Sequence, residues 1–396
     1  MMKYLHNKTV VVGVTGGIAA YKAAELVRAL KKNGAQVHVM MTKSACEFVT
    51  PLTFQTLSQN FVVSDMFGEP HTWEVKHISL AKKADVMVIC PATANCIGKV
   101  ASGIADDFLT TTIMATTAPV LFAASMNDQM YANPIVQENI EKLRAHGYQM
   151  IEPEIGALAC GTSGKGRLAA VETIAEAVGY AVIPKDLSGK RILVTAGPTQ
   201  EAVDPVRYLT NHSSGKMGYA IARVAAARGA EVTLVSGSVA LPVPYGVTKI
   251  PIHSANEMYE AVLSRFDTCD AVIKAAAVAD FRPETVADEK IKKSDSLTLK
   301  LQKNPDILAA LGEKKKHQIL IGFCMETQNL MASAAQKLQK KNLDYIVAND
   351  LTVDGAGFGT DTNVATILGK DGSQTACPKM SKEQLADMIL DRLIAP

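Results

Sequence analysis

The sequence predicts an α/β fold made of two doubly wound, Rossmann-like domains. Short apolar strand candidates alternate with helical patterns, and the alternation starts again after residue 190. The chain has 396 residues, which is more than one domain usually contains. We therefore expect a first domain over residues 1–183, a linker over 184–190 and a second domain over 191–396.

Charge and cysteine content narrow the class of protein. Lys and Arg number 41 against 39 Asp and Glu, so no bulk charge predicts a nucleic-acid or membrane partner. The 7 cysteines are scattered without a Cys-x-x-Cys pair, which argues against a disulfide framework and a structural zinc site. Neither a signal peptide nor a stretch long enough to cross a bilayer is evident. We expect a cytoplasmic protein.

The first domain opens with a βαβ pattern, predicted as a strand at 9–14, a helix at 18–32 and a strand at 36–41. A dinucleotide fingerprint needs the spacing G-x-G-x-x-G and an acidic residue at the end of the second strand. Here the glycines are Gly13, Gly16 and Gly17, and the second strand runs into Thr42 and Lys43. The loop is consistent with phosphate binding, and a nicotinamide dinucleotide is not favoured.

Polar loops follow the next two predicted strands of this domain. The strand at 85–90 leads to Thr93 and Asn95, and the strand at 119–124 leads to Asn127. Ligands of such sheets lie beyond the carboxyl ends of the strands, so these side chains are candidates for a binding site. His77 lies in a helical run at 75–83, and a glycine-rich segment at 156–168 around Cys160 is predicted to be a mobile flap.

Structural roles are the alternative for several of these residues. A lone histidine such as His77 is more often solvated or structural than catalytic, and Asn127 could cap the helix that follows it. Cys160 is different, because a cysteine in a polar glycine loop contributes little to packing. Four further residues are expected to be structural: His38, His71, Cys90 and Cys96.

The second domain restarts with a strand at 191–196, followed by a long polar loop and a helix at 217–229. The loop ends in serines and Gly215 before the helix, an arrangement that suits an anion, and Lys216 adds a charge. The next strand, at 231–235, ends in Ser236 and Gly237. Because it again has no acidic residue, a nicotinamide dinucleotide is disfavoured a second time.

Lysines characterise the rest of the second domain. Strands are predicted at 270–276, 319–323 and 344–348, and a helix at 329–341. Asn304 and Pro305 are predicted to open a short helix with the proline in its first turn. Four lysines would meet at the carboxyl edge of the sheet, where a triphosphate would bind: Lys216, Lys290, Lys337 and Lys341. A solvated charged surface remains the alternative for these lysines.

Several motifs together resemble one family. The first domain contains TGGIAAYK, KHISLAKKAD, PATAN, MNDQMY and ACGTSGKGRL in this order, and AGPTQEAVDPVRYLTNHSSGKMG follows in the second. This combination resembles the bifunctional coenzyme A biosynthesis flavoproteins, in which phosphopantothenoylcysteine decarboxylase is fused to phosphopantothenate–cysteine ligase. The resemblance covers essentially the whole chain. It implies a flavodoxin-like flavoprotein domain first and a parallel-sheet, nucleotide-binding ligase domain second.

For the first domain, the resemblance implies an FMN-dependent decarboxylase. A carboxylate beside a CH₂SH group has no electron sink of its own, and FMN supplies one. By motif match, His77 corresponds to an active-site histidine, Asn127 to the residue that holds the substrate carboxylate, and Cys160 to the proton donor. Four residues would surround FMN: Gly16, Gly17, Thr93 and Asn95.

For the second domain, the resemblance implies ligation of cysteine to 4′-phosphopantothenate through an acyl-cytidylate made from CTP, with pyrophosphate and CMP released. Asn211 and Lys290 match residues that handle or form the acyl-cytidylate. The positions that match CTP-binding residues are Ala275, Asp280, Lys290, Asn304, Pro305, Asp306, Ile307, Phe323, Lys337 and Lys341. Mg²⁺ would bridge the phosphates, and the resemblance does not identify its protein ligands. The family also implies a homo-oligomer.

A regulatory flavoprotein that binds FMN without full catalysis is the contrasting hypothesis. Such a protein is expected to lose the lysines of the second domain or the loop cysteine, and this chain has both. Three residues depart from the usual family motifs: Ser125, Tyr131 and Cys96. The polar atoms of the motifs survive these changes, so they bear on details of substrate fit.

Overall fold

The computed structural model describes residues 5–66, 75–159, 161, 163–292, 296–326, 330–350 and 359–394. The chain divides into two compact units, Lys3–Ile183 and Pro184–Pro396. Each unit is built on its own mainly parallel sheet.

The first unit has a five-stranded parallel sheet in the order β2-β1-β3-β4-β5. Its strands are β1 Thr9–Val14, β2 Gln36–Met41, β3 Val86–Ala92, β4 Val120–Ala124 and β5 Gln149–Ile151. Its helices are α1 Ala20–Lys32, α2 Lys43–Cys46, α3 Pro51–Ser58, α4 Lys76–Lys83, α5 Ala94–Ala101, α6 Phe108–Ala115, α7 Asp128–Ala132, α8 Pro134–Ala145 and α9 Val171–Ala181. This strand order is flavodoxin-like and reverses between β1 and β3, so a crevice is expected where the loops after these two strands separate.

Every residue of β3 and β4 is buried, as expected for central strands of a parallel sheet that is covered on both faces. The predicted bounds of β1 and β2 agree with the structure. Helix α1 begins at Ala20 rather than residue 18, because Gly17 and Ala19 form a turn in which the Gly17 carbonyl accepts from the Ala20 N–H (2.9 Å). Strand β3 continues two residues beyond its predicted end, across a register shift against β4.

An antiparallel hairpin forms the described part of the predicted flap. Its strands are β6 Glu154–Ala157 and β7 Ser163–Arg167, paired with each other in a separate two-stranded sheet. The sequence pattern indicated a glycine-rich loop here and not a hairpin. Cys160 lies outside the described residues.

The second unit has an eight-stranded sheet in the order β12-β11-β8-β13-β16-β17-β18-β19. The first six strands in this order run parallel to one another. Strand β18 pairs antiparallel with β17, and β19 pairs antiparallel with β18. The strands are β8 Arg191–Ala196, β11 Glu231–Ser236, β12 Val247–Pro251, β13 Ala271–Lys274, β16 Ile319–Glu326, β17 Tyr345–Asp350, β18 Thr362–Gly369 and β19 Gln374–Ser381. The helices are α10 Lys216–Ala227, α11 Ala255–Phe266, α12 Ile307–Lys314, α13 Leu330–Lys340 and α14 Lys382–Leu390, followed by a 3₁₀ turn, Asp391–Leu393. Two small hairpins pair β9 Gln200–Ala202 with β10 Tyr208–Thr210 and β14 Phe281–Pro283 with β15 Leu301–Lys303.

Two predictions for this unit need correction. Pro305 does not lie in the first turn of α12, because Asp306 is the N-cap and its side chain accepts from the Ala309 N–H (3.1 Å). Strand β13 ends at Lys274, two residues earlier than predicted, because the chain beyond it leaves the sheet and forms a bridge between Ala277 and Pro198. The sequence pattern also missed β12, α11 and the C-terminal elements from β18 onward.

A buried arginine fastens the start of the second unit to its helices. Arg228, at the end of α10, makes a bidentate pair with Asp186 (both bonds 2.9 Å). It also donates to Asp387 and Asp391, each at 2.8 Å. Leu187 is fully buried beside this cluster, and its N–H donates to the Arg228 carbonyl oxygen (3.0 Å). Residues 184–190 are thus packed onto the second unit.

Two candidate active sites

The loops after β1 and β3 are joined by the buried hydroxyl of Thr15. This hydroxyl donates to the Pro91 carbonyl oxygen (2.7 Å) and accepts from the Thr93 N–H (3.2 Å). Thr93 in turn caps α5. One side chain therefore fixes the spacing of the two loops that border the crevice of the first sheet.

A cavity of about 1280 Å³ opens at this crevice. Five candidate site residues of the first domain line it: Gly16, Gly17, Thr93, Asn95 and Asn127. Apolar side chains such as Met41 and Phe108 share the lining with polar ones such as Ser44 and Lys22. A large, mainly preformed cleft with a few polar groups is typical of a cofactor site.

Gly16 is required by close packing in this wall. A Cβ atom at Gly16 would lie 2.4 Å from the Cβ atom of Ser44, which only a backbone shift could relieve. At Gly17 the nearest atom, Cγ2 of Thr93, would lie 3.5 Å away, an ordinary contact. Gly16 therefore allows the loop after β1 to pack against α2. At Gly17 the absence of a side chain leaves space in the cavity.

Asn127 follows β4 and caps α7. Its Oδ1 atom accepts from the N–H groups of Gln129 (2.9 Å) and Met130 (3.4 Å). The capping role considered from the sequence is thus confirmed. Because Asn127 also lines the cavity, the cap does not exclude a role in binding.

The flap hairpin lies directly against the Asn127 segment. The Met126 N–H donates to the Gly166 carbonyl oxygen (3.0 Å). A Cβ atom at Gly166 would lie 2.2 Å from the Met126 carbonyl oxygen, and one at Gly164 would lie 2.6 Å from Cβ of Asp128. Both glycines are needed for this approach, which brings residues 157–159 and 166–168 into the cavity lining.

His77 is half-buried on α4 and packs against a residue that lines the cavity. Its ring packs edge-to-face on Phe108 at 6.4 Å between centroids, and Phe108 lines the cavity. His77 itself is not among the described residues that line it.

Tyr131, one of the departures from the family motifs, donates to Glu152 (2.6 Å), which also pairs with Lys165 of the flap (2.7 Å).

The residues expected to be structural behave as predicted where they are described. Cys90 and Cys96 are buried, and burial raises the pKa of each thiol to about 12. Burial also lowers the pKa of His38, with a smaller contribution from Lys83. His71 lies outside the described residues.

In the second unit, the loops after β8 and β13 meet in a comparable way. Asn211 donates through Nδ2 to the Val278 carbonyl oxygen (3.1 Å). The fully buried Thr199 accepts from the Ala279 N–H (3.0 Å), and the Ala277 N–H donates to the Gly197 carbonyl oxygen (3.0 Å). Asn211 is thereby held at the carboxyl edge of the sheet.

Asn304 is a buried support for the same loop. Its Nδ2 donates to the Ala279 carbonyl oxygen (2.8 Å), and its Oδ1 accepts from Arg282 (2.7 Å). Its backbone N–H donates to the Asp280 carbonyl oxygen (2.8 Å). Asn304 therefore holds the Asp280 loop in place mainly through contacts within the protein.

A cluster of charges lies beside the N-terminus of α12. Lys341 pairs with Asp306 at 2.8 Å, and this pairing contributes to the lowered pKa of Asp306, whose burial acts in the opposite direction. Lys274 ends the neighbouring strand β13, and burial lowers the pKa of its ammonium group to about 8, with a smaller contribution from Lys341. The sequence reading did not single out Lys274, although a lysine within the apolar run AVIKAAAVA is a usable signal.

Asp204 links the Lys290 segment to the loop before Asn211. Its carboxylate accepts from Nε of Arg207 (2.9 Å) and from the Ile291 N–H (3.1 Å). Arg207 also donates to the Ile291 carbonyl oxygen (2.8 Å). The hydrogen bonds from Arg207 hold the pKa of Asp204 well below its usual range. The backbone next to Lys290 is therefore fixed, while the lysine side chain is exposed.

Comparisons with known proteins match each of the two units to a protein family. Residues 2–182 match the Flavoprotein family model, and residues 187–395 match that of the DNA/pantothenate metabolism flavoprotein C-terminal domain. A Bacillus subtilis protein named coenzyme A biosynthesis bifunctional protein CoaBC is 52% identical over 396 residues, covering 99% of this chain and 98% of the relative. An Escherichia coli protein of the same name is 45% identical over 397 residues, with 98% and 97% covered. The chain belongs to the coenzyme A biosynthesis bifunctional protein family.

Solved structures resemble the units one at a time. The C-terminal domain of a coenzyme A biosynthesis bifunctional protein is 46% identical, covering 53% of this chain and 96% of its own, with a TM-score of 0.47. A PPC decarboxylase variant in complex with pantothenoylaminoethenethiol is 31% identical, covering 44% and 97%, with a TM-score of 0.40. The family membership rests on the full-length relatives and on the two family models, and it confirms the resemblance inferred from the motifs.

The positions carried over from this family lie in different surroundings within the second unit. Ile307 has its side chain in the core, so only its backbone is available to a ligand. Phe323 and Ala275 are half-buried, and Asp280 is exposed. Lys337 lies 3.6 Å from Sγ of Cys324. Lys216 is engaged by Asp361 and the Gly359 carbonyl oxygen, both at 2.7 Å, and no described contact joins it to the Asp306–Lys341 pair.

Within the described ranges, no three or more His, Cys, Asp or Glu side chains converge in a way that could hold a metal ion. None of the described helices is both long and apolar enough to cross a membrane.

Proposed function

We propose that this chain catalyses two consecutive reactions of coenzyme A biosynthesis. The second unit joins cysteine to 4′-phosphopantothenate, and the first unit decarboxylates the product to 4′-phosphopantetheine. The observation that carries this proposal is the match over 99% of the chain to a bifunctional relative. The presence of a cofactor-sized cavity in one unit and a cluster of charges at the sheet edge of the other supports it.

The cavity of the first unit fits FMN. It is large, and it is lined by Gly16, Gly17, Thr93 and Asn95, which in our proposal surround the flavin ring. When bound, FMN supplies the electron sink that loss of CO₂ requires. In our proposal Asn127 holds the substrate carboxylate in the cavity, and Cys160 delivers a proton to the product.

His77 and the oligomeric state belong to the same proposal. His77 is not among the described residues that line the cavity of its own chain, and Val75, the N-cap of its helix, and Ile78 within the helix are exposed. We assign His77 to a decarboxylase site that is completed in a homo-oligomer. Exposed apolar residues on one helix are compatible with such an interface.

The ligase reaction uses CTP and Mg²⁺ in this proposal. The substrate carboxylate attacks the α-phosphate of CTP, and the bond to pyrophosphate breaks. The cysteine amine then attacks the acyl carbon, and CMP leaves. Lys290 and Asn211 act on the acyl-cytidylate, while Lys337, Lys341 and the Asp280 loop bind the nucleotide. Mg²⁺ would accompany the phosphates and offset their negative charge.

Product analysis by mass spectrometry tests the proposal. The purified protein is incubated with 4′-phosphopantothenate, cysteine, CTP and Mg²⁺, and formation of 4′-phosphopantetheine is expected. Accumulation of phosphopantothenoylcysteine would contradict the decarboxylase half, and no product from folded protein would contradict both halves. In the same assay, Cys160→Ser should retain FMN and ligation but stop before 4′-phosphopantetheine; normal turnover would refute the role of Cys160.

A further inference from the structure

Lys274 carries a charge for which the described part of the second unit offers no direct partner. It is the last residue of β13, which lies between β8 and β16, so it stands at the carboxyl end of its own strand. Its side chain is partly buried, and no hydrogen bond or ion pair to its ammonium group is found among the described residues. Lys341, Asp306 and Asp280 are the charged groups that influence it.

The nearby carboxylates do not satisfy this ammonium group. Asp306 is already bound by Lys341 (2.8 Å) and by the N–H of Ala309 (3.1 Å). Asp280 acts on Lys274 only through its longer-range field and is exposed to solvent. A partly buried ammonium group without a partner is unfavourable in the protein alone, since it loses water and gains no hydrogen bond in return.

We propose that Lys274 binds the phosphate chain of the nucleotide in the ligase site. The carboxyl ends of parallel strands are where ligands of such sheets lie. An ammonium group is a compact point charge with three donors, and phosphate oxygens are strong charged acceptors. Lys274 thus adds to Lys337 and Lys341 a cation that the family motifs did not single out. This inference rests on CTP being the nucleotide, as proposed above.

Nucleotide binding and stability together test this role. Lys274→Met keeps a long, unbranched side chain, one atom shorter than lysine, and removes the charge. Without nucleotide, the variant should melt at or above the temperature of the unmodified protein, because an unpaired charge is gone. With CTP and Mg²⁺, its stabilisation should be smaller, and its KM for CTP should rise by about tenfold or more, as expected for loss of a charge-assisted contact. The KM for cysteine should not change.

Controls separate the phosphate chain from other ligands. Lys316→Met removes an exposed lysine paired with Asp267 and should leave both the CTP response and the KM unchanged. Lys274→Arg keeps the charge and should recover part of the CTP response. Cytidine, which lacks phosphates, should bind the unmodified protein and Lys274→Met alike.

Four outcomes would overturn the inference. A Lys274→Met variant that is destabilised yet keeps the full CTP response would show that the lysine is structural. A raised KM for 4′-phosphopantothenate with an unchanged response to CTP would place the phosphate of that substrate, and not of the nucleotide, at Lys274. A full CTP response and unchanged stability of Lys274→Met would show that the lysine contributes to neither nucleotide binding nor stability. Absence of a CTP response in the unmodified protein would refute the nucleotide assignment itself, and this inference with it.

Discussion

Asn127 combines a structural task with a proposed catalytic one. Its Oδ1 atom caps α7, and the same residue lines the cavity. Replacement by alanine would remove both the cap and the proposed substrate contact. A substitution that keeps the cap is therefore needed to isolate the role in decarboxylation.

Asn127→Asp should separate the two tasks. Aspartate caps helices as well as asparagine does, so the free energy of unfolding should change by less than about 0.5 kcal/mol. The added negative charge would repel the substrate carboxylate, and decarboxylation should fall by about 100-fold or more. Urea unfolding and rates of phosphopantothenoylcysteine turnover measure the two effects, with ligation as the internal control. Unchanged decarboxylation would remove Asn127 from carboxylate binding.

Single residues were predictable from sequence where they belonged to a local pattern. Gly16, Gly17, Thr93 and Asn95 follow predicted strands, and all four line the cavity. Thr15 was missed because its importance depends on a contact with Pro91, 76 residues away. Their binding and catalytic roles remain predictions.

At the scale of elements, the flap depends on glycines that permit backbone contact. Gly164 and Gly166 alternate along β7 and face the Met126–Asp128 segment. This explains why a segment that reads as a loop forms a strand: its pairing with β6 and its contact with Met126 supply the order that its composition does not. Sequence periodicity contains no signal for such contacts.

Gly166→Ala should displace the flap. The new Cβ atom would lie 2.2 Å from the Met126 carbonyl oxygen, so β7 must move away from the Met126–Asp128 segment. We expect decarboxylation to fall at least about tenfold with ligation unchanged, because a small misplacement of reacting groups is costly. Product analysis of both half-reactions measures this.

Gly98→Ala on α5 is the matched control for that variant. Its nearest neighbour would be Nδ2 of Asn139 at 3.7 Å, so the added methyl group fits. Alanine is the better helix former, and stability should rise by up to about 1 kcal/mol. Equal activity of Gly166→Ala and Gly98→Ala would contradict a role of the flap in decarboxylation.

At the scale of the whole molecule, the two units have separate sheets and separate cores. The alternation of strands and helices predicted two α/β domains, because parallel strands buried on both faces produce apolar runs that are easily recognised. The C-terminal elements after β17 were not predicted. They include antiparallel strands with partly polar patterns, whose placement depends on pairing with β17.

Ligands should therefore stabilise the units separately. A ligand that binds only the folded state raises the free energy of unfolding of the unit to which it binds. In calorimetry of the full chain, FMN should raise the melting temperature of one transition, and CTP with Mg²⁺ that of the other. Two different ligands acting on one and the same transition would contradict separate sites in separately unfolding units.

The Arg228 cluster has a practical consequence for cutting the chain. A fragment that begins at residue 191 lacks Asp186 and Leu187, so it loses a bidentate partner of a buried arginine and a fully buried leucine. A fragment that begins at 184 keeps both. Loss of a buried leucine alone usually costs about 2–5 kcal/mol. Urea midpoints should be clearly lower for 191–396 than for 184–396; equal midpoints would show that this N-terminal fastening is dispensable.

A protease that cleaves between residues 183 and 184 would leave the second unit whole, whereas one that cleaves a few residues later would weaken it.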